Sequence, residues 1–164
     1  MHDPVQTPEN QAAHYLAAVA GYSGTPLAKK LGVKEGSTVV LVGPPEGFPA
    51  VLAETLPPAV TVRARATGTA DVVVGFFTRR ADFERRLPTL SKVMDVDGGL
   101  WIAWPKRASG VPTDITEDTV REVALPTGLV DVKVCAIDDT WSGLRVCWRK
   151  DLRPRIRTGV GRGR

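Results

Sequence analysis

The chain has 164 residues, of which 43% are hydrophobic, and it carries a formal net charge of +4. A chain of this length builds one ordinary core, and no apolar run approaches the ~20 residues of a membrane-spanning helix, so we expect a cytoplasmic protein without a membrane partner. With only two cysteines and two histidines, a zinc site is disfavoured and the commonest general base is scarce, so we predict no metal and no catalytic residue.

The N-terminal elements are predicted to be helical. Residues 1–20 contain an alanine-rich piece and form a flexible or helical lead. The segment 25–32 then reads as a compact helix, with Thr25 as its N-cap and Gly32 as its C-terminal stop. This helix belongs to a single α/β domain predicted over residues 21–150.

Three later segments are continuously apolar: Thr38–Val42, Asp71–Phe77 and Leu100–Trp104. Strands buried on both faces have this pattern, which predicts a mostly parallel sheet with helices on either side. The segments between them carry apolar residues at helical spacing, and Pro88 is expected to kink or interrupt the second of these helices. A further helix is predicted to begin after Thr116 as its N-cap.

The segment Val60–Arg65 alternates like an edge strand but stands only a few residues before Asp71. A parallel crossover normally needs about a dozen or more residues. The strand is therefore either short and followed by an extended loop, or part of a hairpin around Thr67–Thr69. We prefer the short edge strand.

The segments Val130–Ile137 and Leu144–Trp148 flank a polar turn and predict a C-terminal antiparallel hairpin. With Trp141 at the centre of the turn, Cys135 and Cys147 would lie opposite each other. A cross-strand disulfide is then conceivable, but two free thiols are preferred in a reducing cytoplasm. The complete prediction is a three-layer, Rossmann-like α/β fold with about six strands.

The positive charge is concentrated at the C-terminus. Between Arg149 and Arg164 there are seven cations and one anion, so this segment carries +6 and the other residues together −2. Residues 151–164 are predicted to be a disordered basic tail. Such a tail either keeps a protein soluble or contacts nucleic-acid phosphates nonspecifically. The cations assigned to nucleic acid are Arg153, Arg155, Arg157, Arg162 and Arg164.

The loop after the first predicted strand departs from a nucleotide-binding fingerprint. Where nucleotide folds place their phosphate loop, the chain reads Gly43-Pro44-Pro45-Glu46-Gly47-Phe48. A G-x-G-x-x-G spacing lets backbone approach a pyrophosphate, but prolines occupy the two positions after Gly43. The position of the loop is kept and its chemistry is missing.

The order of elements resembles the S-adenosylmethionine-dependent methyltransferase fold in a shortened form, over about residues 31–149. The lead-in Leu31–Gly36 and the turn Asp95–Leu100 are similar to the approaches to that family's first and fifth strands. Three segments are also similar to a family of small bacterial proteins known as domain of unknown function 3052, which implies no activity: Gly21–Gly32, Gly98–Lys106 and Gly128–Ala136.

The methyltransferase resemblance implies acidic residues at the ends of the first and second strands, the second of which holds the ribose hydroxyls of the cofactor. Here Val42 precedes Gly43 without an acid, and Arg63 and Arg65 stand where the ribose acid is expected. The short loop after Arg65 also leaves no room for a third strand and its helix. We therefore expect no intact cofactor site and no cofactor.

Ligands of open parallel sheets bind outside the carboxyl ends of the strands. The loops expected there would form an anion pocket, helped by amide groups at the helix start near Gly47. A solvated rim is the alternative, and Asp138 with Asp139 is more typical of a turn than of an acid–base pair. The candidate ligand residues are Gly43, Glu46, Gly47, Arg79, Arg80, Lys106, Arg107, Ser109, Asp138 and Trp141.

These patterns favour a noncatalytic binding or regulatory protein that uses this rim for a small anionic ligand or a protein partner. Two alternatives stay open. One is nucleic-acid association through the basic tail, and the other is a small-molecule transferase of the methyltransferase type.

Overall fold

The computed structural model describes residues 25–157, so the predicted N-terminal lead, Arg162 and Arg164 lie outside the described residues. Within that range, no helix combines the length and apolar character needed to cross a membrane. The strands are β1 (Thr38–Val42), β2 (Thr61–Arg63), β3 (Ala70–Phe76), β4 (Met94–Pro105), β5 (Leu129–Ala136) and β6 (Trp141–Trp148). The helices are α1 (Leu27–Leu31), α2 (Phe48–Ala53), α3 (Arg80–Val93), α4 (Glu117–Ala124) and α5 (Arg153–Arg157).

The strands form one six-stranded sheet in the order β2-β1-β3-β4-β6-β5. The first four strands pair in parallel, whereas β6 is antiparallel to both β4 and β5. This confirms the predicted α/β fold with a mostly parallel sheet and a C-terminal antiparallel hairpin. The short strand β2 pairs in parallel with β1, as preferred over the hairpin alternative.

Each face of the sheet carries its own hydrophobic cluster, because the central strands bury side chains on both sides. One cluster joins the sheet to α1 and α2, and includes Trp101. The other joins it to α3 and α4, and includes Trp104. The two tryptophans therefore point to opposite faces, as their spacing in a strand predicts.

Helix α1 ends as predicted but begins one residue later. Gly32 adopts the left-handed conformation with φ 83°, which glycine tolerates without a Cβ penalty. The N-cap is Pro26 rather than Thr25, and the Pro26 carbonyl accepts the first helical hydrogen bond, from Lys30 N at 2.9 Å.

Helix α3 runs over 14 residues with Pro88 inside it, so of the predicted kink or interruption, the interruption does not occur. Pro88 has no N–H to donate to the carbonyl of Glu84, four residues earlier. Both residues are exposed, so water can hydrogen-bond to that carbonyl instead. On the opposite side the helix is held to the sheet by Phe83, Leu87 and Leu90, which are buried.

The β5–β6 turn is tighter than predicted. The register places Cys135 opposite Gly143 and Cys147 opposite Val130, so the expectation that the two cysteines face each other is wrong. Both are free thiols. The shift arises because the Trp141 carbonyl accepts from Ile137 N at 2.9 Å, which makes Trp141 the first residue of β6 rather than the turn centre.

The prediction of a disordered tail from residue 151 is wrong for residues 151–157. A short 3-10 turn and helix α5 fold back onto the domain, and Ile156 is only 4% exposed. Arg157 donates to both carboxylate oxygens of Asp97, at 2.8 and 3.0 Å. The basic composition of the segment predicted disorder, and a single isoleucine gave no pattern from which its burial could be predicted. Residues 158–164 lie outside the described range.

Strand β5 forms one edge of the sheet and is irregular. Its pairing with β6 shifts between Asp131 and Lys133, which leaves Val132 as an extra residue in a β-bulge. The residues from Asp131 to Val134 are all exposed.

The docking of α5 can be tested at Ile156. Replacing Ile156 by alanine removes a buried side chain, and we expect the free energy of unfolding to fall by about 2 kcal/mol in urea denaturation. The milder change Ile156→Val should cost about 1 kcal/mol or less. An Ile156→Ala protein with the stability of the wild type would show that α5 is not held against the domain.

Candidate functional site

The carboxyl ends of the parallel strands meet at one edge of the sheet, which we term the carboxyl rim. It comprises the loops 43–47, 77–79, 105–116 and 137–140. Strand β5 also ends at this rim, because it is antiparallel to β6 and β6 is antiparallel to β4. The ten residues predicted to bind a ligand are brought to the rim or its immediate border.

The loop after β1 needs glycine but offers little to an anion. Gly43 has φ 64°, and a Cβ there would lie 3.2 Å from the Phe76 carbonyl oxygen. Helix α2 has only six residues, Phe48 N is already bonded to the Pro45 carbonyl, and Pro49 has no N–H. The predicted anion site beside Gly47 thus lacks free backbone N–H groups at Phe48 and Pro49.

Aromatic packing fills the neighbouring part of the rim. The rings of Phe48 and Phe76 are 4.9 Å apart and those of Phe76 and Trp141 are 5.2 Å apart, both edge to face. Trp141 is half-buried in this row, so its described contacts are those of a packing residue.

Two lysine ammonium groups converge on the β5–β6 turn. Lys106 Nζ donates to the Asp138 carbonyl at 2.6 Å, and Lys30 Nζ donates to the Ala136 carbonyl at 2.9 Å. Lysines at helix surfaces are usually solvated, but Lys30 is only 6% exposed. Its spacing from Leu27 and Leu31 was the available signal, since these three residues share one face of α1.

Burial shifts the pKa values of Lys30 and Cys135 beside this turn. Desolvation lowers the pKa of Lys30, the Cys135 thiol opposes that shift, and the nearby cations Lys106 and Lys133 lower the pKa further. Burial raises the pKa of the Cys135 thiol, although the two lysines Lys30 and Lys133 act against it. Cys135 is accordingly a protonated thiol at neutral pH rather than a reactive thiolate.

Two predicted site residues serve the loops themselves. Asp138 Oδ1 accepts from Thr140 N at 2.8 Å and from Trp141 N at 2.7 Å, which is the turn-forming role expected of an aspartate here. Ser109 Oγ donates to the Lys106 carbonyl at 2.6 Å and accepts from Val111 N.

The two neighbouring arginines at the start of α3 differ. Arg80 Nε donates to Glu84 at 2.5 Å and its Nη1 to Glu122 at 3.1 Å, so its guanidinium links α3 to α4. These carboxylates raise the pKa of Arg80, the Glu84 hydrogen bond most strongly. Arg79 precedes the helix and is exposed. Of the pair, Arg79 is the one whose charge is directed to solvent.

A cavity with a volume of about 530 Å³ opens at the rim beside the end of β4. Its apolar residues include Trp104, which is 6% exposed. The full lining is Trp104, Pro105, Lys106, Arg107, Gly110, Val111, Pro112, Thr113, Ile115, Thr116, Glu117 and Ser142. Most of these were missed because the 110–117 loop has no regular pattern in sequence.

Two hydrogen bonds anchor that loop to the segment that joins β3 to α3. Thr113 Oγ1 donates to the Thr78 carbonyl at 2.7 Å. Asp114 Oδ1 accepts from Arg80 N at 2.7 Å and thereby caps the first turn of α3 from 34 residues away. The cavity wall is therefore tied to the loop after β3 and to the start of α3.

Two basic residues of the segment predicted to be a tail form hydrogen bonds within the domain. Arg153 Nε donates to the Trp148 carbonyl at 3.1 Å, and Arg157 binds Asp97. Asp97 lies near the start of β4, so Arg157 is at the opposite end of this strand from the carboxyl rim. Among residues 25–157, no group of three or more Asp, Glu, His or Cys side chains could hold a metal ion.

Comparison with known proteins supports the fold. No family model and no curated protein matches the chain, so the similarity to domain of unknown function 3052 stays a prediction. A SAM-dependent methyltransferase from Aquifex aeolicus is similar in structure, with TM-score 0.60, 17% identity and coverage of 86% of this chain and 98% of that one. Magnesium protoporphyrin IX methyltransferase from Synechocystis PCC 6803, with bound SAM, has TM-score 0.51 and 9% identity over 91% of this chain and 87% of that one. The chain has a methyltransferase-like Rossmann fold.

At the ends of β1 and β2, where the methyltransferase resemblance implies carboxylates, the residues present do not fit the cofactor. β1 ends at Val42 without a carboxylate, and Arg63 at the end of β2 donates to the Thr69 carbonyl at 3.1 Å. A guanidinium has no acceptor atoms, so neither Arg63 nor the exposed Arg65 can accept hydrogen bonds from ribose hydroxyls.

The buried lysine predicts a pH dependence of stability. Because the folded-state pKa of Lys30 lies below its ordinary value of 10.5, the folded state binds fewer protons between those two values and becomes relatively more stable as the pH rises. The free energy of unfolding of the wild type, relative to Lys30→Met, should therefore increase from about pH 7 to about pH 10 in urea denaturation. Lys29→Met is the matched control, because it removes an exposed lysine from the same helix. An equal pH response in both variants would contradict a lowered pKa of Lys30.

Proposed function

We propose that this protein is a noncatalytic binding protein whose small-molecule ligand carries a negative charge and occupies the 530 Å³ cavity at the end of β4. The supporting observation is the composition of the lining. Its volume falls within the range of about 300–1,000 Å³ typical of small-molecule sites. Trp104, Pro105 and Ile115 supply an apolar surface, and Lys106 with Arg107 supplies positive charge at the same end.

The charges around the cavity favour an anion. Lys106 is held in place by its bond to the Asp138 carbonyl, and it is one of two cationic residues in the lining, with Arg107. Glu117 also lines the cavity, but its carboxylate is paired with Arg121 at 2.5 Å. The lining therefore keeps a positive balance where a ligand carboxylate or phosphate would lie.

The acid–base groups near the cavity favour binding over catalysis. Both histidines of the chain precede residue 25 in sequence. Among the described lining residues, Thr113 donates to the Thr78 carbonyl and Thr116 caps α4. Their hydroxyls are thus engaged in structure rather than paired with a general base.

Arg107 tests the proposal. Benzoate should bind the wild type in an NMR titration, and benzamide, which has the same shape without the charge, should bind more weakly. Replacing Arg107 by alanine should weaken benzoate binding about fivefold, because an exposed ion pair contributes at most ~1 kcal/mol. Lys92→Ala removes one cation from the far end of α3 and should leave binding unchanged. Equal affinity for benzoate and benzamide would contradict an anion site.

A methyltransferase-like transferase is the second candidate, favoured by the sheet order and by the structural neighbours. Calorimetry with S-adenosylmethionine separates the two proposals. We expect no measurable heat of binding, because Val42, Arg63 and Arg65 offer no acceptor side chain where the cofactor would need one. Micromolar binding would replace the noncatalytic proposal with the transferase.

A further inference from the structure

The cavity at the end of β4 has a neighbour on the other side of the 111–113 loop. This second cavity has a volume of about 820 Å³ and opens beside the end of β3. Val111, Pro112 and Thr113 line both cavities. The two cavities are therefore adjacent, and we term them the two compartments of one groove, with the shared segment 111–113 as the partition.

Each compartment contributes one exposed arginine. Arg107 lines the first and Arg79 lines the second. Neither guanidinium group has a hydrogen bond or ion pair with another residue in the described range 25–157, in contrast to that of Arg80, which Glu84 and Glu122 bind. A guanidinium presents a planar fork of donors that matches a carboxylate or phosphate.

The acidic residues of the groove are occupied elsewhere. Glu117 in the first compartment is paired with Arg121. Asp114 in the second compartment turns its Oδ1 to Arg80 N at the start of α3, where the helix dipole favours negative charge. The guanidinium groups of Arg79 and Arg107 thus have no acidic partner within the groove.

The partition between the compartments exposes two apolar side chains. Val111 is 38% exposed, and Pro112 beside it is also exposed. A ligand that reached both arginines would have to cross these two side chains. An apolar spacer would bury surface there, whereas a polar spacer would lose water without gaining a partner.

We propose that the ligand is an elongated dianion, with one anionic group at Arg107 beside Lys106, the other at Arg79, and an apolar spacer lying across Val111 and Pro112. This inference rests on the proposed function, since it takes the first cavity to be the binding site. It adds the chemical class of the ligand and assigns Arg79 as the residue that selects it.

Straight-chain carboxylates of matched length test the proposal. The wild type is titrated by NMR with hexanoate and adipate, and with heptanoate and pimelate, alongside Arg79→Ala and Arg107→Ala. At least one dicarboxylate should bind about tenfold tighter than the monocarboxylate of equal length, because its second contact is intramolecular. Arg79→Ala should remove most of that gain while leaving monocarboxylate affinity unchanged.

The outcomes separate this inference from the proposed function. If Arg107→Ala weakens both ligand types but no dicarboxylate exceeds its monocarboxylate, the dianion proposal is wrong and the anion site stands. If Arg79→Ala weakens both types equally, Arg79 shapes the site rather than reading a second charge, and the proposal also fails. If no carboxylate depends on Arg107, both proposals fail. Lys92→Ala controls for net charge, and Arg79→Lys should restore part of the dicarboxylate gain.

Discussion

The hydrogen bond from the buried Trp101 indole to the Leu31 carbonyl, 2.9 Å long, holds α1 against the centre of the sheet. A fully buried indole N–H needs a partner, and the carbonyl at the last turn of α1 supplies it. This contact sets the position of Lys30 one residue earlier, and therefore the bond from Lys30 to the β5–β6 turn. Gly143 also packs closely on the same indole, with a Cβ site 3.1 Å from its ring. The part of the carboxyl rim where α1 meets the β5–β6 turn is thus packed around the Trp101 side chain.

Most of the fold could be predicted because its main signals are local. The continuous apolar runs located β1, β3 and β4, and Gly32 and Thr116 marked helix boundaries that the structure retains. What failed depended on tertiary contacts. Pro88 is tolerated within α3 because its side of the helix faces water, and residues 151–157 fold because Ile156 finds a place in the core. Composition and propensity do not report such partners.

The candidate site was predictable only as a region. The rule that ligands lie at the carboxyl ends of parallel strands drew attention to Lys106 and Arg107, which the structure places directly after β4. It could not separate Arg79 from Arg80, because the carboxylates that bind Arg80 come from one turn along α3 and from α4. Nor could it find Asp114, whose capping of α3 joins residues distant in sequence.

The bulge in β5 has a consequence for how this sheet meets other chains. An edge strand normally exposes a row of free amide and carbonyl groups on which another strand can add. Here the extra residue Val132 breaks the regular spacing of those groups, and the exposed charges of Asp131 and Lys133 flank it. At the other edge β2 has only three residues. Both borders are poor templates for strand addition, which protects the protein against aggregation through its own backbone.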